Sequence, residues 1–328
     1  MDAVSAAAVE TFRPQLLDRR ARLQAASDAV PAAYFNELIA EIDAALGRIE
    51  KGSYGLCETC HDPIEADRLA QDPLVRFCLD HLSPAERQAH QKDLELAAQI
   101  QSNLLPPRDV SAEAWDTQYR YQPVGAVGGD YCELIGLGDG RSLFFAVGDV
   151  AGKGVAASLL MTHLSAIFRS LLSLDLSLTE VMSRANRLFC ESTASAHYAT
   201  LACGRATAGG VELCNAGHCT PLLLKRDATQ RLDSPGLPLG LFCSSHYPVR
   251  KVSLDPSDSL VLYSDGITES QDPEGNQYEE DRLIRSLWDY REQTTVAMAD
   301  GVLQDVARFR QTRSAGDDVT LLIVRRRG

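Results

Sequence analysis

Up to about residue 105 the apolar positions of this chain recur at helical spacing, and beyond it they come in short, nearly unbroken runs. Val4 to Ala29 and Ala32 to Glu50 are rich in Ala, Leu, Glu and Arg, with Leu38, Ile42, Leu46 and Ile49 along one side, so two helices are predicted. Pro31 separates them, and Lys51-Gly52 ends the second. A third helix starts at Ser83-Pro84-Ala85-Glu86, a cap followed by proline and then glutamate, and stops at Pro106-Pro107. Its apolar surface is wide: Leu96, Ile100 and Leu104 lie on one side, Leu94, Ala98 and Leu105 on another. Such a helix needs two neighbours. Further on, Arg120 to Pro123, Leu143 to Val147, Leu260 to Tyr263 and Val319 to Val324 predict strands, and Val155 to Leu172 and Leu178 to Cys190 predict two long helices.

With 328 residues, two or three units are expected, and 45% apolar residues suffice for a buried core. The formal charge of −13 argues against a broad sequence-independent grip on nucleic acid or anionic membrane. Arg325-Arg326-Arg327 reads as a solvated strand end, so no direct nucleic-acid binding is expected. No run reaches the eighteen apolar residues of a membrane span, and no basic stretch precedes an apolar one at the N-terminus. A cytoplasmic protein without membrane contact is the expectation. Nine cysteines, six of them scattered through Cys132, Cys190, Cys203, Cys214, Cys219 and Cys243, speak against a disulfide framework.

The other three cysteines stand in Cys57-Glu-Thr-Cys60 and Cys78-Leu-Asp-His81. A two-residue gap lets both side chains of one turn reach a tetrahedral ion, so Cys57, Cys60, Cys78 and His81 are the candidate ligands of one structural Zn²⁺. His61, directly after Cys60, competes with His81 but fits a paired knuckle less well. The stretch from Ile42 through Gly52-Ser-Tyr-Gly55-Leu-Cys57-Glu-Thr-Cys60, with Pro63-Ile64-Glu65 and Arg68-Leu69, resembles the DksA/TraR zinc-finger family over residues 30 to 82. That resemblance implies a contact with RNA polymerase through an acidic hairpin tip. Here the chain departs from the pattern. Helices of about twenty to twenty-five residues reach only about 30 to 38 Å, the turn offers the single acidic residue Asp28, and the fourth ligand is histidine where many relatives carry cysteine. A sensor or scaffold is the better expectation for this module.

Acidic residues beside glycines recur in Gly128-Gly129-Asp130, Gly148-Asp149-Val150, Ser264-Asp265-Gly266 and Gly316-Asp317-Asp318-Val319-Thr320. Carboxylates gathered at strand ends suit hard cations such as Mg²⁺ or Mn²⁺. Together with Asn215-Ala-Gly217-His218 and Gly236-Leu-Pro-Leu-Gly240, these segments resemble, in order, the metal-dependent PPM protein phosphatases of the bacterial SpoIIE/RsbU branch. The resemblance covers residues 108 to 328. It implies an α+β fold, an αββα sandwich of two antiparallel sheets flanked by helices, preceded here by a helical hairpin with a small zinc finger. Three regions are thus expected: 1–82 hairpin and zinc finger, 83–107 linker helix, 108–328 phosphatase domain.

By the same resemblance, Asp130, Asp149, Asp265 and Asp317 with the carbonyl of Val150 hold two Mn²⁺ or Mg²⁺ ions, Asp149 bridging both. A bridging hydroxide is the implied nucleophile towards phosphoserine or phosphothreonine on a regulatory protein of the anti-sigma-factor antagonist kind. Asp318 is expected to orient Asp317. Ala151 occupies the place where eukaryotic relatives carry a histidine proposed as general acid, and no arginine stands beside Asp130 to clamp phosphate. Lys153 is either a phosphate contact or a solvated helix-start residue. His218 is expected in a structural turn. Ala97-Ala-Gln-Ile100-Gln-Ser-Asn-Leu-Leu-Pro106 is similar to the linker that dimerises and transmits signals in this branch, which implies a homodimer. The competing reading is a zinc-finger RNA-polymerase-binding regulator whose phosphatase-like domain only docks partners.

Overall fold

The computed structural model describes residues 12–328 except 19, 22–23, 25–31, 66–67, 70–71, 83, 108–109, 111, 139, 153, 194–196, 234–235, 312 and 314. Much of the first predicted helix, the turn at 26–31 and Lys153 therefore lie outside the described residues; 12–18 and 20–21 are helical. The chain divides into two compact units, residues 1–93 and 94–328.

In the smaller unit, helix α1 (Ala32–Glu50) turns Ile42 and Ala45 into a core of Leu16, Tyr54, Cys57, Ile64, Leu69 and Cys78. The helix ends where Gly52, at φ +69°, adopts a left-handed conformation that few side chains tolerate. Arg48 donates to the Leu74 carbonyl at 3.2 Å and the Tyr54 hydroxyl to that of Pro73 at 2.9 Å, closing the loop between the two cysteine turns.

Helix α2 (Pro84–Leu104) carries the wide apolar surface seen in the sequence. Gln101 is buried, while Leu96 and Ile100, one turn apart, are 56% and 51% exposed. One side of the helix is packed and the other open.

The larger unit is built from β1 (Trp115–Gln122), β2 (Asp130–Gly136), β3 (Leu143–Val150), α3 (Gly154–Leu172), α4 (Leu178–Ser192), β4 (Ala199–Thr207), β5 (Gly210–Ala216), β6 (Leu222–Leu224), β7 (Thr229–Arg231), β8 (Arg250–Val252), β9 (Ser259–Tyr263), α5 (Asp265–Thr268), α6 (Glu280–Asp289), α7 (Thr295–Arg310) and β10 (Val319–Arg326). They form two five-stranded sheets, ordered β1-β10-β9-β6-β7 and β2-β3-β4-β5-β8, with every pair antiparallel. Leu143, Phe145 and Val147 of β3 meet Leu260, Leu262, Leu322 and Val324 between the sheets. The alternate residues Phe144 and Ala146 face α3 and α4, and Val261, Leu321 and Ile323 of the other sheet face α6 and α7. The result is four layers, helices outside two antiparallel sheets, as the αββα expectation required. Burial on both faces explains why the central strands read as unbroken apolar runs rather than alternations. Burying one such Phe or Leu contributes about 2 kcal/mol.

Three features of the structure add to what the sequence predicted. Cys190 and Cys243 are joined in a disulfide, with Cα atoms 5.5 Å apart. Asn186 of α4 donates to the carbonyls of Phe242 and Cys243 at 2.9 and 3.2 Å, which folds that loop back onto the helix end and brings the sulfurs together. Second, α3 is long and apolar enough by composition to cross a membrane. Its apolarity is that of a core helix: Ala157, Met161, Leu164, Phe168 and Leu171 are buried against the sheet. Third, Asp130 opens a strand, β2, that was not among those predicted.

Candidate metal centres

In the smaller unit the Cys57 N–H donates to the Asp62 carbonyl and the Ile64 N–H to that of Gly55, both at 2.8 Å, folding the first cysteine turn into a knuckle. His61 sits at its corner with φ +62°. The short helical turn Leu79–His81 sets the second pair. The atoms that converge are those of Cys57, Cys60, Cys78 and His81, all within 4.8 Å of one another; His61 is not among them. Bonds of about 2.3 Å directed tetrahedrally separate two sulfurs by about 3.8 Å, and Cys60 Sγ and Cys78 Sγ are 3.8 Å apart. Cys78 Sγ and His81 Nδ1 are separated by 3.2 Å. Burial pushes the Cys57 thiol up, but the backbone N–H groups of Cys60, Cys78 and Thr59 outweigh it and bring it down to about 6, whereas at Cys60 the Asp62 backbone N–H is outweighed by burial and by the Cys57 and Cys78 thiols, which raise it to about 12. The backbone of the knuckle thus holds one thiol of the pair towards thiolate, the form a metal takes. The donor set fits Zn²⁺ and leaves no position for a substrate.

In the larger unit the aspartates approach one edge of the sandwich from both sheets. Asp130 and Asp149 face each other as paired residues of β2 and β3. Asp265 begins α5 immediately beyond β9, and Asp317 lies just ahead of β10. The two segments from the second sheet are pressed together: a Cβ on Gly266 would collide with the Asp318 carbonyl oxygen and lie 3.3 Å from the Asp317 carbonyl carbon. The Ser264 hydroxyl donates to that same Asp318 carbonyl at 3.3 Å and accepts from the Thr320 N–H at 2.9 Å. Across the sheets, the Thr320 hydroxyl donates to Asp130 Oδ2 at 2.5 Å.

Asp318 reaches two parts of the site. Its carboxylate accepts the N–H groups of Val124 at 2.8 Å, Gly129 at 2.7 Å and Asp130 at 3.4 Å, so it shapes the loop leading into Asp130. Its backbone N–H donates to Asp317 Oδ1 at 3.0 Å. His218 lies in a turn in which the Asn215 amide donates to the carbonyls of His218 and Cys219 and its oxygen accepts the His218 N–H. Its Nδ1 is 2.8 Å from the Thr200 hydroxyl.

Electrostatics tie the aspartates together. Burial raises the Asp130 carboxyl to about 8, with Asp149 and Asp318 adding to the rise and the Thr320 and Ser264 hydroxyls opposing it. Burial, then the charges of Asp265, Asp317 and Asp318, raise Asp149 to about 7. The Cys219 thiol is pushed up to about 12 by burial and by Asp265 and Asp130. Carboxylates crowded in this way call for positive charge. A Cβ on Gly129 would lie 3.3 Å from the Val150 carbonyl oxygen and 3.5 Å from Asp149 Oδ1, so carbonyl and carboxylate border one small hollow. Oxygen donors around such a hollow fit a hard divalent cation. The carboxylates are nonetheless spread more widely than the cysteine–histidine set, which among the described residues is the group that meets within 4.8 Å.

Sequence reasoning missed three contributors. Ser264 and Thr320 stood inside the quoted motifs without a role, though hydroxyls next to strand-end aspartates are natural donors to them. Arg313 was overlooked because it lies away from Asp130 in sequence: it lines a recess of about 420 Å³ with Gly266, Glu269, Gln277 and Asp317, and its Nη1 donates to the Asp272 carbonyl at 3.1 Å.

An αββα sandwich with acidic residues gathered at one edge is the architecture of PP2C-type phosphatase domains. The SiaA-PP2C domain of Pseudomonas aeruginosa superposes with a TM-score of 0.65 at 20% identity, over 74% of this chain and 98% of that one. The RsbU and RsbW domains of Rv1364c from Mycobacterium tuberculosis give 0.57 at 27% identity, over 65% and 60%. Residues 139–327 match the family of stage II sporulation protein E (SpoIIE), and the chain belongs to that family. Residues 52–80 match the prokaryotic dksA/traR C4-type zinc finger; His81, just beyond the match, stands in its fourth position. Protein IcfG of Synechocystis sp. is 26% identical over 269 residues, 71% of this chain but 41% of IcfG. The phosphoserine phosphatase RsbU of Bacillus subtilis is 25% identical over 245 residues, 74% of this chain and 72% of RsbU. Phosphatases of this family use divalent metal ions and act on phosphorylated proteins.

Proposed function

We propose that this protein is a Mn²⁺- or Mg²⁺-dependent serine/threonine phosphatase that acts on a phosphorylated regulatory protein of the anti-sigma-factor antagonist kind in the cytoplasm. The observation that carries the reading is the meeting of Asp130 and Asp149 from one sheet with Asp265 and Asp317 from the other, in a chain of the SpoIIE family. Asp130, Asp149, Asp265, Asp317 and the Val150 carbonyl would hold two ions. When bound, divalent cations neutralise phosphoryl oxygens and acidify water, the two obstacles to attack on a phosphomonoester.

The protein's own residues prepare that chemistry. Thr320 fixes the rotamer of Asp130 across the sheets, Asp318 fixes the loop in front of it, and Ser264 locks the Asp265 segment to the Asp317 segment. Residues flanking the phosphorylated serine would lie in the recess lined by Arg313 and Asp317. Ala151 brings no proton, so the leaving oxygen would take one from water held at the site or from another side chain.

Residues 1–82 act as a zinc-stabilised sensor or scaffold, 83–107 as the linker, and 108–328 as the catalytic domain. The exposed Leu96–Ile100 edge of α2 supports pairing with a second copy through the linker, which would transmit the signal. Hydrolysis of a phosphoserine peptide, assayed with and without Mn²⁺ beside Asp265→Asn, tests the reading. Metal-dependent turnover lost in the variant is expected; no turnover by the parent protein with either metal would overturn it in favour of a docking domain.

A further inference from the structure

Among the described residues of α2, Gln101 reaches the loop in front of Asp130 with both ends of its side chain. It is 4% exposed in the helix's last turn. Its Nε2 donates to the Gly128 carbonyl at 2.7 Å, and its Oε1 accepts the Gly128 N–H at 3.0 Å. The side-chain amide therefore pairs with both polar groups of one backbone residue, as a neighbouring strand would. The Tyr121 hydroxyl is 3.5 Å from the same Oε1. Gly128 has no room for a side chain there: a Cβ would collide with the Asp318 carboxylate and the Tyr121 hydroxyl. The next amide, Gly129 N–H, is held by Asp318, and Asp130 follows. Two consecutive peptide units ahead of Asp130 are thus gripped, the first by Gln101 and the second by Gln101 and Asp318 together.

A second tie joins the same helix end to β2 beyond Asp130. Arg169 of α3 donates through Nη2 to the Leu104 carbonyl at 2.7 Å, and through Nε and Nη2 to the buried Glu133 carboxylate at 2.9 and 3.1 Å. The end of α2 is therefore anchored on both sides of Asp130, at Gly128 and, through Arg169, at Glu133. If α2 rotates or withdraws, Gly128 loses both partners at a buried position, and an unpaired buried N–H or C=O is costly enough to make the loop follow.

We infer that Gln101 is a positioning residue for the metal site, setting the place of Asp130 according to the seating of α2. The inference deepens the proposed regulation through the linker and rests on the reading that Asp130 holds a divalent ion. It assigns the signal a direct route, from helix to amide to metal ligand, which needs no rearrangement of α3. Gln101 touches neither substrate nor ion.

Mn²⁺ binding to the full chain, measured by titration calorimetry, tests it on the parent protein, Gln101→Met, Gln101→Glu and Asp130→Asn. Gln101→Met removes both bonds to Gly128; Gln101→Glu keeps the shape and the acceptor but replaces the donor, and serves if the first variant fails to fold. We expect at least tenfold weaker Mn²⁺ binding in Gln101→Met and several-fold weaker binding in Gln101→Glu. The metal concentration for half-maximal activity should rise in parallel, with KM for phosphopeptide at saturating metal unchanged, a split that a purely structural role would not produce. Faster amide exchange over residues 124–130 should accompany it. Parent-like affinity in both Gln101 variants, with binding lost in Asp130→Asn, would overturn the role of Gln101 and leave the metal site standing. Parent-like affinity in Asp130→Asn would instead overturn the site on which the inference rests.

Discussion

The residue that shows most about how this edge is assembled is Gly266, because it brings no functional group and yet admits no replacement. Its missing side chain lets the Asp265 segment lie directly against the Asp318 carbonyl. Gly266→Ala would force those segments apart, and overpacking of that kind costs about 1–3 kcal/mol. A lower urea midpoint with an unchanged slope, together with loss of phosphatase activity, is the expected result. His218 offers a second test at this scale. Burial lowers its imidazole from 6.5 to about 4; the Tyr263 backbone opposes this, yet no hydrogen bond of standard geometry forms at Nε2. The folded protein therefore holds His218 neutral while the unfolded chain takes up a proton near pH 6.5. Stability is fully present above that pH and declines as pH falls towards 4, by about 2 kcal/mol at pH 5 from this residue. Urea unfolding at pH 7 and pH 5 should show a smaller acid loss in His218→Asn than in the parent.

At the scale of elements, α2 was legible to within two residues because its signals are local: a cap and a proline at one end, two prolines at the other. The double-faced core strands β3, β9 and β10 were legible for a related reason, since burial on both sides leaves an apolar run with nothing to mistake it for. By contrast, β6, β7 and β8 have three residues each, too few for any period to register. Strand β2 was hidden because Glu133 interrupts its apolar run, and the partner that permits a buried carboxylate there, Arg169, comes 36 residues later. The disulfide was hidden likewise: Cys190 and Cys243 are 53 residues apart, and Asn186 creates their proximity. Of the candidate site, the aspartates were legible as motifs. Their supports were not, because Gln101, Asp318 and Thr320 act on residues 27 to 190 positions away. The exposed edge of α2 yields a prediction of its own. Leu96→Lys should shift the protein from dimer to monomer in sedimentation velocity and change phosphatase activity; a dimer retained with parent-like activity would show that this edge is an ordinary solvated surface.

For the molecule as a whole, the question is how far its two units depend on one another for stability. Each has its own buried core, one around Tyr54, Cys57 and Ile64, the other in three layers on and between the sheets. The two are unequal in what sustains them. A four-layer sandwich buries enough apolar surface to fold on that alone, whereas the smaller core includes Cys57 and Cys78, residues whose placement a metal would set. Stripping zinc with a tight chelator should therefore abolish amide-exchange protection in residues 42–82 and leave strands β3, β9 and β10 protected, with calorimetry resolving a lost low-temperature transition and a retained high-temperature one. If metal-dependent phosphatase activity, restored with Mn²⁺ after the chelator is removed, then changes while the sandwich stays folded, the zinc unit is a regulator of the catalytic one. Simultaneous loss of protection in both units would show a single cooperative fold, and the role of zinc would be stability alone.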